Sequence, residues 1–152
     1  MPMVEVRKAT LRDAAGMAEI INGWIDRTEW MRRDLPAEDF EALFVQGLEV
    51  REIWAAGDPI EGYLSLDPES SHIWGFHCAQ PGQGTGKLLL DRAKEGRSFL
   101  SLNTHVPNTG AQRFYRREGF RPVQAGGTQS AAPGRGNAAD PAIPEMRMEW
   151  HR

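Results

Sequence analysis

Three glycines at alternate positions, directly before an apolar helix, constrain this chain more than any other feature. The segment 81–87, PGQGTGK, follows a strand predicted at His72–Cys78 and precedes the apolar run 88–90. Glycines let consecutive backbone N–H groups converge on one point, and a helix N-terminus adds a partial positive charge. This arrangement favours an anion-binding loop, and a flexible turn that merely begins the helix is the alternative.

Two common phosphate-binding motifs do not fit this loop. A Walker A loop requires glycine five positions before Gly86, where the chain has Pro81. It also requires serine or threonine after Lys87, where the chain has Leu88. A dinucleotide fingerprint needs glycine at position 87 or 89, where the chain has lysine and leucine. The glycine spacing therefore belongs to a different pattern.

Hydrophobic periodicity and turn residues predict alternating strands and helices along the whole chain. Strands are predicted at Met3–Ala9, Val50–Ala55, Ile60–Leu66, His72–Cys78, Ser98–Thr104, Phe120–Gln124 and Met146–Trp150. Helices are predicted after Thr10 (a near-capping box with Asp13), after Pro36, after the glycine-rich segment, and from Asn108 to Gly119. This order predicts one α/β (α+β) domain over residues 1–152, with a mixed central sheet and helices on both faces.

Charge and composition argue against several classes of function. The 152-residue chain has a formal net charge of -3, whereas a nucleic-acid binder needs a basic face. Cys78 is the one cysteine, so no internal disulfide forms, and no segment resembles a signal peptide or the ~20 apolar residues of a membrane span. The four histidines lack metal-site spacing. We therefore expect a cytoplasmic protein with no metal and no nucleic-acid or membrane partner.

A second motif lies one strand downstream of the glycine-rich segment. Residues 108–120, NTGAQRFYRREGF, match the pattern Asn-x-x-Ala-x-x-Phe-Tyr-x-x-x-Gly-Phe. Together with Gly84-Thr85-Gly86, this segment resembles the GNAT superfamily of N-acetyltransferases, whose pyrophosphate loop has the pattern Gln/Arg-x-x-Gly-x-Gly/Ala. Pro81 stands where that loop usually has Gln or Arg, which is a departure. The resemblance covers roughly residues 50–123, and the element order extends it to both termini.

The resemblance implies an acetyl-CoA-dependent N-acetyltransferase, in which an amine attacks the thioester directly through a tetrahedral intermediate. It implies that the fourth and fifth strands part at their C-terminal ends, so that the pantetheine arm of acetyl-CoA inserts between them. The cofactor-binding residues that it implies are Phe76, Cys78, Gln83, Gly84, Thr85, Gly86, Lys87 and Asn108. Main-chain amides of 83–87 would hold the pyrophosphate, and the Phe76 N–H would face the acetyl carbonyl. Gly75 itself is suited to a bulge or a close backbone approach.

Acetyl transfer sets two proton tasks, because the acceptor ammonium must lose a proton and the departing thiolate must gain one. A phenol, with a pKa of about 10, suits the second task and stays protonated at neutral pH. Tyr115 occupies the position that the resemblance implies for this acid, with helix packing as the alternative. The base stays open among an ordered water and five side chains: Asp67, Glu69, His72, His77 and His105.

The resemblance implies that the acceptor amine binds at the loop between the first two helices and near the last hairpin. Trp24 and Trp30, with Glu29 between them, would form an aromatic wall carrying an anionic group, and packing of both tryptophans into the core is the alternative. Residues 125–144 are predicted to form a long loop within the C-terminal hairpin, with Arg135 as a substrate contact. Small-molecule and peptide amines both stay open as acceptors.

Two other classes of function also stay open. A non-catalytic acyl-CoA-binding sensor domain of the same fold would bind CoA without turnover, and the departure at Pro81 keeps this alternative. A nucleotide-phosphate enzyme would be stabilised by ATP-Mg and not by CoA. The resemblance further implies a homodimer.

Overall fold

Seven strands and four α-helices form the part of the chain that the computed structural model describes, residues 4–123 and 143–152. The strands are β1 (Val6–Lys8), β2 (Glu52–Ala56), β3 (Gly62–Asp67), β4 (His72–Cys78), β5 (Phe99–His105), β6 (Arg121–Val123) and β7 (Glu145–His151). The helices are α1 (Ala14–Asp26), α2 (Phe40–Val50), α3 (Thr85–Lys94) and α4 (Thr109–Arg117). The sheet has the order β1-β2-β3-β4-β5-β7-β6, and β4–β5 is its parallel pair among antiparallel ones. The predicted mixed sheet and element order are confirmed.

Neighbouring residues of the sheet are buried under different helices. Ile53 and Tyr63 pack with residues of α1 and α2 on one side, which we call the α1/α2 face. Trp54 and Leu64, their neighbours in sequence, pack with residues of α3 and α4 on the other side, the α3/α4 face. Because successive side chains of a strand point to opposite faces, the helices cover both faces of the sheet, as predicted.

The predicted capping box fixes the start of the first helical segment. Asp13 accepts a hydrogen bond from the Thr10 N–H at 2.8 Å. Arg7 of β1 donates to both oxygens of the Asp13 carboxylate, at 2.8 and 2.9 Å. This ion pair ties α1 to the edge of the sheet, and α1 carries Trp24 near its C-terminal end.

The parallel strands β4 and β5 are joined at one end. Their register contains two Cα pairs, His72 with Ser101 and Ile73 with Leu102. The His72 Nδ1 and the Ser101 Oγ lie 2.7 Å apart at this junction. Beyond Ile73 no further β4–β5 pairing exists among the described residues. The two strands therefore part toward their C-terminal ends, as the resemblance predicted.

A bulge in β4 decides which side chains face the opening. Against β3, Ser65 pairs with Gly75 and Leu66 pairs with Ile73, so Trp74 is the extra residue. A Cβ on Gly75 would lie 3.2 Å from the Tyr63 ring, so the predicted close approach is also present. After the bulge, Phe76 and Cys78 pack on the α3/α4 face, and His77 lies on the α1/α2 face beside Tyr63.

Several predicted boundaries were wrong by one to three residues. Val50 ends α2 and does not begin a strand, because the helical bond from Arg51 N–H to the Gly47 carbonyl extends the last turn. Ile60 was assigned to a strand but precedes β3 and packs with the apolar residues beneath α1. Within the described part of the predicted strand 3–9, residues 4–9, β1 covers Val6–Lys8. In the ranges described, no helix has the length and apolar character that crossing a bilayer requires.

Candidate active site

The glycine-rich segment leads directly into the first turn of α3. Gly84 precedes the helix with φ 83°, in the left-handed region that favours glycine. A Cβ on Gly82 or Gly84 would meet nothing within 4 Å, so this side of the loop is open. The N–H groups of a first helical turn have no acceptor within the helix, and here they belong to 85–87. The loop can therefore present several amides to an anion.

The other side of this turn faces the sheet. Thr85 is buried, and a Cβ on Gly86 would lie 3.5 to 3.7 Å from Phe114, Cys78 and Phe76. These are ordinary van der Waals distances, so the first turn of α3 lies against side chains of α4 and β4 near the end of the split. Hydrogen bonds to Glu118 and Asp91 raise the pKa of the Lys87 ammonium, whose Nζ lies 3.1 Å from the Glu118 carboxylate. Because carboxylates already bind this ammonium, we expect position 87 to meet a phosphate through its main-chain N–H.

Tyr115 lies on the α3/α4 face of the sheet. Its ring centroid is 6.1 Å from that of Phe76 and 5.6 Å from that of Phe120, so the ring is part of the core. Burial raises the pKa of the Tyr115 phenol well above its ordinary value, and the neighbouring Cys78 thiol adds to this shift. The phenol is therefore protonated throughout the neutral range, as a proton donor must be.

The Cys78 thiol shows how this environment changes the pKa of a sulfur group. Burial raises the pKa of Cys78 to about 11. A thiolate formed beside Tyr115 would be desolvated in the same way and would become a stronger base than a thiolate in water. Desolvation therefore raises the pKa of a phenol and the pKa of a thiol at this place together.

A cleft of about 450 Å³ opens beside the C-terminal end of α1. Its lining residues are Trp24, Arg27, Thr28, Glu29, Trp30 and Asn108. The two tryptophans are half-buried and meet edge to face, with ring centroids 5.7 Å apart. The Asn108 Oδ1 accepts a hydrogen bond from the Ala111 N–H at 3.1 Å, which caps α4. The cleft thus joins three of the predicted acceptor residues to one predicted cofactor residue.

Two of the five candidate bases lie next to this cleft. The ring centroid of His77 is 4.9 Å from that of Trp24, and its Nδ1 lies 2.9 Å from the Tyr63 hydroxyl. The ring centroid of His105 is 5.3 Å from that of Trp30, and its Nε2 lies 3.6 Å from a Glu145 carboxylate oxygen. The sequence showed that these residues lie near strand ends, but no local pattern indicated that they meet the tryptophans.

The other three candidates are at the opposite end of β4. Asp67 ends β3 and Glu69 lies in the turn that follows, where the Glu69 N–H donates to the Asp67 carboxylate at 3.0 Å. Burial lowers the pKa of His72 to about 4, and its hydrogen bond to Ser101 holds the closed end of the split. Their position separates these three residues from the region where β4 and β5 part.

Arg135 and most of the predicted loop 125–144 lie outside the described residues, so these predictions stay predictions. Within 4–123 and 143–152, no group of three or more His, Cys, Asp or Glu side chains is arranged to hold a metal ion.

A sequence relative and solved structures support the resemblance. No family model matches the chain. It is 24% identical to the peptidyl-lysine N-acetyltransferase YjaB of Salmonella typhimurium over 123 residues, which cover 78% of this chain and 84% of YjaB. The solution structure of apo YjaB from Escherichia coli superimposes with a TM-score of 0.73 at 17% identity, covering 98% of both chains.

A further solved structure was determined with a bound cofactor. The putative acetyltransferase yncA of Salmonella typhimurium, solved with acetyl-CoA, gives a TM-score of 0.68 at 19% identity, covering 99% of this chain and 94% of yncA. These similarities agree with the resemblance that the two sequence motifs indicate. The parted parallel strands of the sheet agree with it as well. The chain has the fold of these acetyltransferases.

Proposed function

We propose that the protein is an acetyl-CoA-dependent N-acetyltransferase that transfers an acetyl group to an amine. The observation that carries this proposal is the split between β4 and β5, which begins after Ile73. The split has the glycine-rich helix start and a buried phenol on the α3/α4 face, and the tryptophan-lined cleft on the α1/α2 face. One opening thus has separate places for a diphosphate, a thioester and an amine.

In this proposal, main-chain amides of 83–87 bind the diphosphate of acetyl-CoA. The clearance at Gly82 and Gly84 supports this assignment, because no side chain separates the amides from a ligand. The pantetheine arm takes the place of the missing β4–β5 pairing, where a strand edge offers main-chain hydrogen bonds. These amides do not need the side chain that Pro81 replaces.

The proposed chemistry is a direct attack of the neutral amine on the thioester carbonyl. The Phe76 N–H donates to the carbonyl oxygen as negative charge develops on it. Tyr115 donates its proton to the departing sulfur, and its burial keeps that proton in place beforehand.

The proposed acceptor site is the cleft at the end of α1. Trp24 and Trp30 offer aromatic faces to an alkyl ammonium, and the exposed Glu29 supplies a negative charge. YjaB is a peptidyl-lysine N-acetyltransferase, so a lysine side chain in a peptide is the first acceptor to test. Small-molecule amines are the second class, and the predicted contact at Arg135 belongs to the same proposal.

The proposal includes a cytoplasmic location and a homodimer. The location was expected from the composition of the sequence, and the dimer from the resemblance. An elution volume at monomer mass would contradict the dimer, and secretion of the protein would contradict the location.

The test is a thermal-shift measurement followed by a turnover assay. We expect CoA and acetyl-CoA to raise the melting temperature, with no such shift from ATP-Mg. Release of free thiol is then measured against lysine peptides and a panel of small amines. Stabilisation by ATP-Mg alone would contradict the proposal. Tight CoA binding without turnover on any acceptor would favour the sensor domain.

A further inference from the structure

We propose that His105 is the general base that deprotonates the acceptor amine, and that Glu145 stabilises the imidazolium that forms. This inference rests on the proposed function and assigns the proton task that the sequence left open. It follows from the position of His105 on β5, its contacts with the cleft and its ion-pair partner on β7.

His105 lies at the C-terminal end of β5, on the strand that parts from β4. The register between β5 and β7 is continuous, so the side chains of β5 alternate regularly between the faces. Leu100 and Leu102 pack on the α3/α4 face, which places His105 on the α1/α2 face. The ring contacts agree, since its centroid lies 6.2 Å from that of Trp24 and 5.3 Å from that of Trp30. Both tryptophans line the cleft, so His105 adjoins the space where we place the amine.

A buried amide on the same face supports approach of a donor from this side. Asn103 precedes His105 by two positions and therefore points to the same face of β5. Its Oδ1 is buried and has no hydrogen-bond partner within the described residues. A buried acceptor of this kind requires an N–H or O–H donor. This acceptor lies on the same face of β5 as His105.

The ion pair with Glu145 distinguishes His105 from His77. The His105 Nε2 lies 3.6 Å from the Glu145 Oε2, and both side chains are mostly buried, with 24% and 20% of their areas exposed. A carboxylate at this distance favours the protonated ring. The Nδ1 of His77 instead faces the neutral Tyr63 hydroxyl, which carries no charge to stabilise an imidazolium. His105 therefore has a carboxylate placed to stabilise its imidazolium form.

The proton and electron balance of the step is complete without another reactant. With its Nε2–H directed at Glu145, neutral His105 takes a proton from the acceptor ammonium on Nδ1. The freed lone pair forms the bond from nitrogen to the thioester carbonyl carbon. The carbon–sulfur bond breaks, and the sulfur takes the Tyr115 proton from the α3/α4 face. The attacking nitrogen then gives up its second proton, which leaves a neutral amide and restores the Tyr115 phenol through solvent, while the imidazolium of His105 releases the first proton to water. The two proton tasks are thus performed on opposite faces of the sheet.

The pH dependence of this base involves charges from three elements. Glu145 lies on β7, His77 reaches the same tryptophans from β4, and Arg27 and Glu29 line the cleft after α1. Of these groups, Glu145 forms an ion pair with His105, so we expect it to have the largest effect on the proton affinity of His105.

The test compares the pH profiles of kcat/KM for the wild-type protein and His105→Gln, using the lysine peptide or panel amine that the wild-type protein turns over. The wild-type profile should rise and reach a plateau once His105 is neutral. In His105→Gln, only amine that is already neutral reacts, so activity should rise about tenfold per pH unit towards about pH 10 without a plateau. The loss should be about 10²-fold or more at about pH 7.

Glu145→Gln provides a second variant that keeps the imidazole. Without the carboxylate, the rising limb should move to lower pH and the plateau should fall, because the ring binds a proton less tightly. His151→Gln is the matched control, since His151 pairs with Glu149 at the far end of the same strand, and its profile should equal that of the wild-type protein.

The outcomes separate this inference from the proposed function. A plateau retained in His105→Gln, or lost in His77→Gln instead, would overturn the role of His105 while leaving the acetyltransferase proposal intact. An unmoved limb in Glu145→Gln would overturn the role of Glu145. If the wild-type protein binds CoA but acetylates no amine, the proposed function fails, and the inference fails with it. A CoA-dependent thermal shift in each variant shows that the fold and cofactor site are retained.

Discussion

The two tyrosines of the chain are buried on opposite faces of the sheet and have different surroundings. Tyr63 faces His77 and its hydroxyl lies within hydrogen-bond distance of that ring. Tyr115 lies among Phe76, Phe114 and Phe120, close to the Cys78 thiol. The second environment is mostly apolar, so a phenol there keeps its proton throughout the neutral range. This contrast allows the role of the Tyr115 hydroxyl to be tested against that of Tyr63.

Removing the Tyr115 hydroxyl should slow the reaction and leave cofactor binding unchanged. We expect Tyr115→Phe to lower kcat by about 10²-fold or more, because the sulfur would leave as a buried thiolate without a proton donor. The affinity for CoA, measured by calorimetry, should stay the same, since the amides of 83–87 are untouched. Tyr63→Phe, the matched change on the other face of the sheet, should lower kcat much less. Equal losses in the two variants would contradict the assignment.

At the level of elements, α3 carries a glycine in the left-handed region at each end. Gly84 precedes the helix with φ 83°, and Gly96 follows it with φ 74°. A Cβ would meet nothing within 4 Å at either position. The two glycines therefore both need a left-handed backbone conformation. Of the two, Gly84 is the one next to the proposed site.

This symmetry predicts that Gly84→Ala and Gly96→Ala lose similar stability and differ in cofactor binding. Each should lower the free energy of unfolding by about 1 kcal/mol, because alanine is strained where φ is positive. We expect weaker CoA binding in Gly84→Ala, since the new methyl group projects into the open side of the loop. Gly96→Ala should bind CoA as the wild-type protein does. Denaturant unfolding and calorimetry measure both quantities, and equal CoA affinities would contradict the loop assignment.

The elements that the sequence predicted well are those with local signals at their ends. His72–Cys78 was predicted with its observed bounds, and Asn108 caps α4 as expected, because turn residues and a capping side chain act within a few positions. Val50 was misassigned because a β-branched residue favours a strand, whereas the hydrogen bonding of α2 decided its conformation. The split between β4 and β5 came from the family resemblance.

The contacts around the cleft could not be predicted from local patterns. His105 and Glu145 meet through the pairing of β5 with β7, which join distant parts of the chain. His77 faces Trp24 because the bulge at Trp74 shifts the alternation of β4. A shift of one residue in that strand would exchange the faces of His77 and Cys78. Side-chain neighbours of this kind depend on tertiary register, which one sequence does not specify.

At the level of the whole molecule, the closed end of the split contains a buried histidine that resists protonation. His72 is buried against Ser101, and burial lowers its pKa from an ordinary 6.5 to about 4. Between these values the unfolded chain binds a proton that the folded chain does not bind. Folding should therefore be most stable above about pH 6.5 and lose up to about 3 kcal/mol from this residue as the pH falls to about 4.

The comparison of wild-type protein with His72→Gln tests this effect. Urea unfolding at several pH values should show that the wild-type free energy of unfolding falls across this window. The variant, less stable at neutral pH without its imidazole, should show a flatter dependence. Carboxylates such as Asp13, whose pKa is lowered by its hydrogen bond with Arg7, lose their contribution to the free energy of unfolding at more acidic pH. Parallel curves for the two proteins would contradict the assignment.

The central claim is that a diphosphate binds at the start of α3 while a thioester arm enters the split between β4 and β5. Amide hydrogen exchange, followed residue by residue by NMR with and without CoA, tests it most directly. The account predicts slower exchange on CoA binding at 83–87 and at 76–78, with little change at His72 and Ile73, where the strands are already paired. Unchanged exchange at both segments under saturating CoA, or protection at other elements instead, would contradict it.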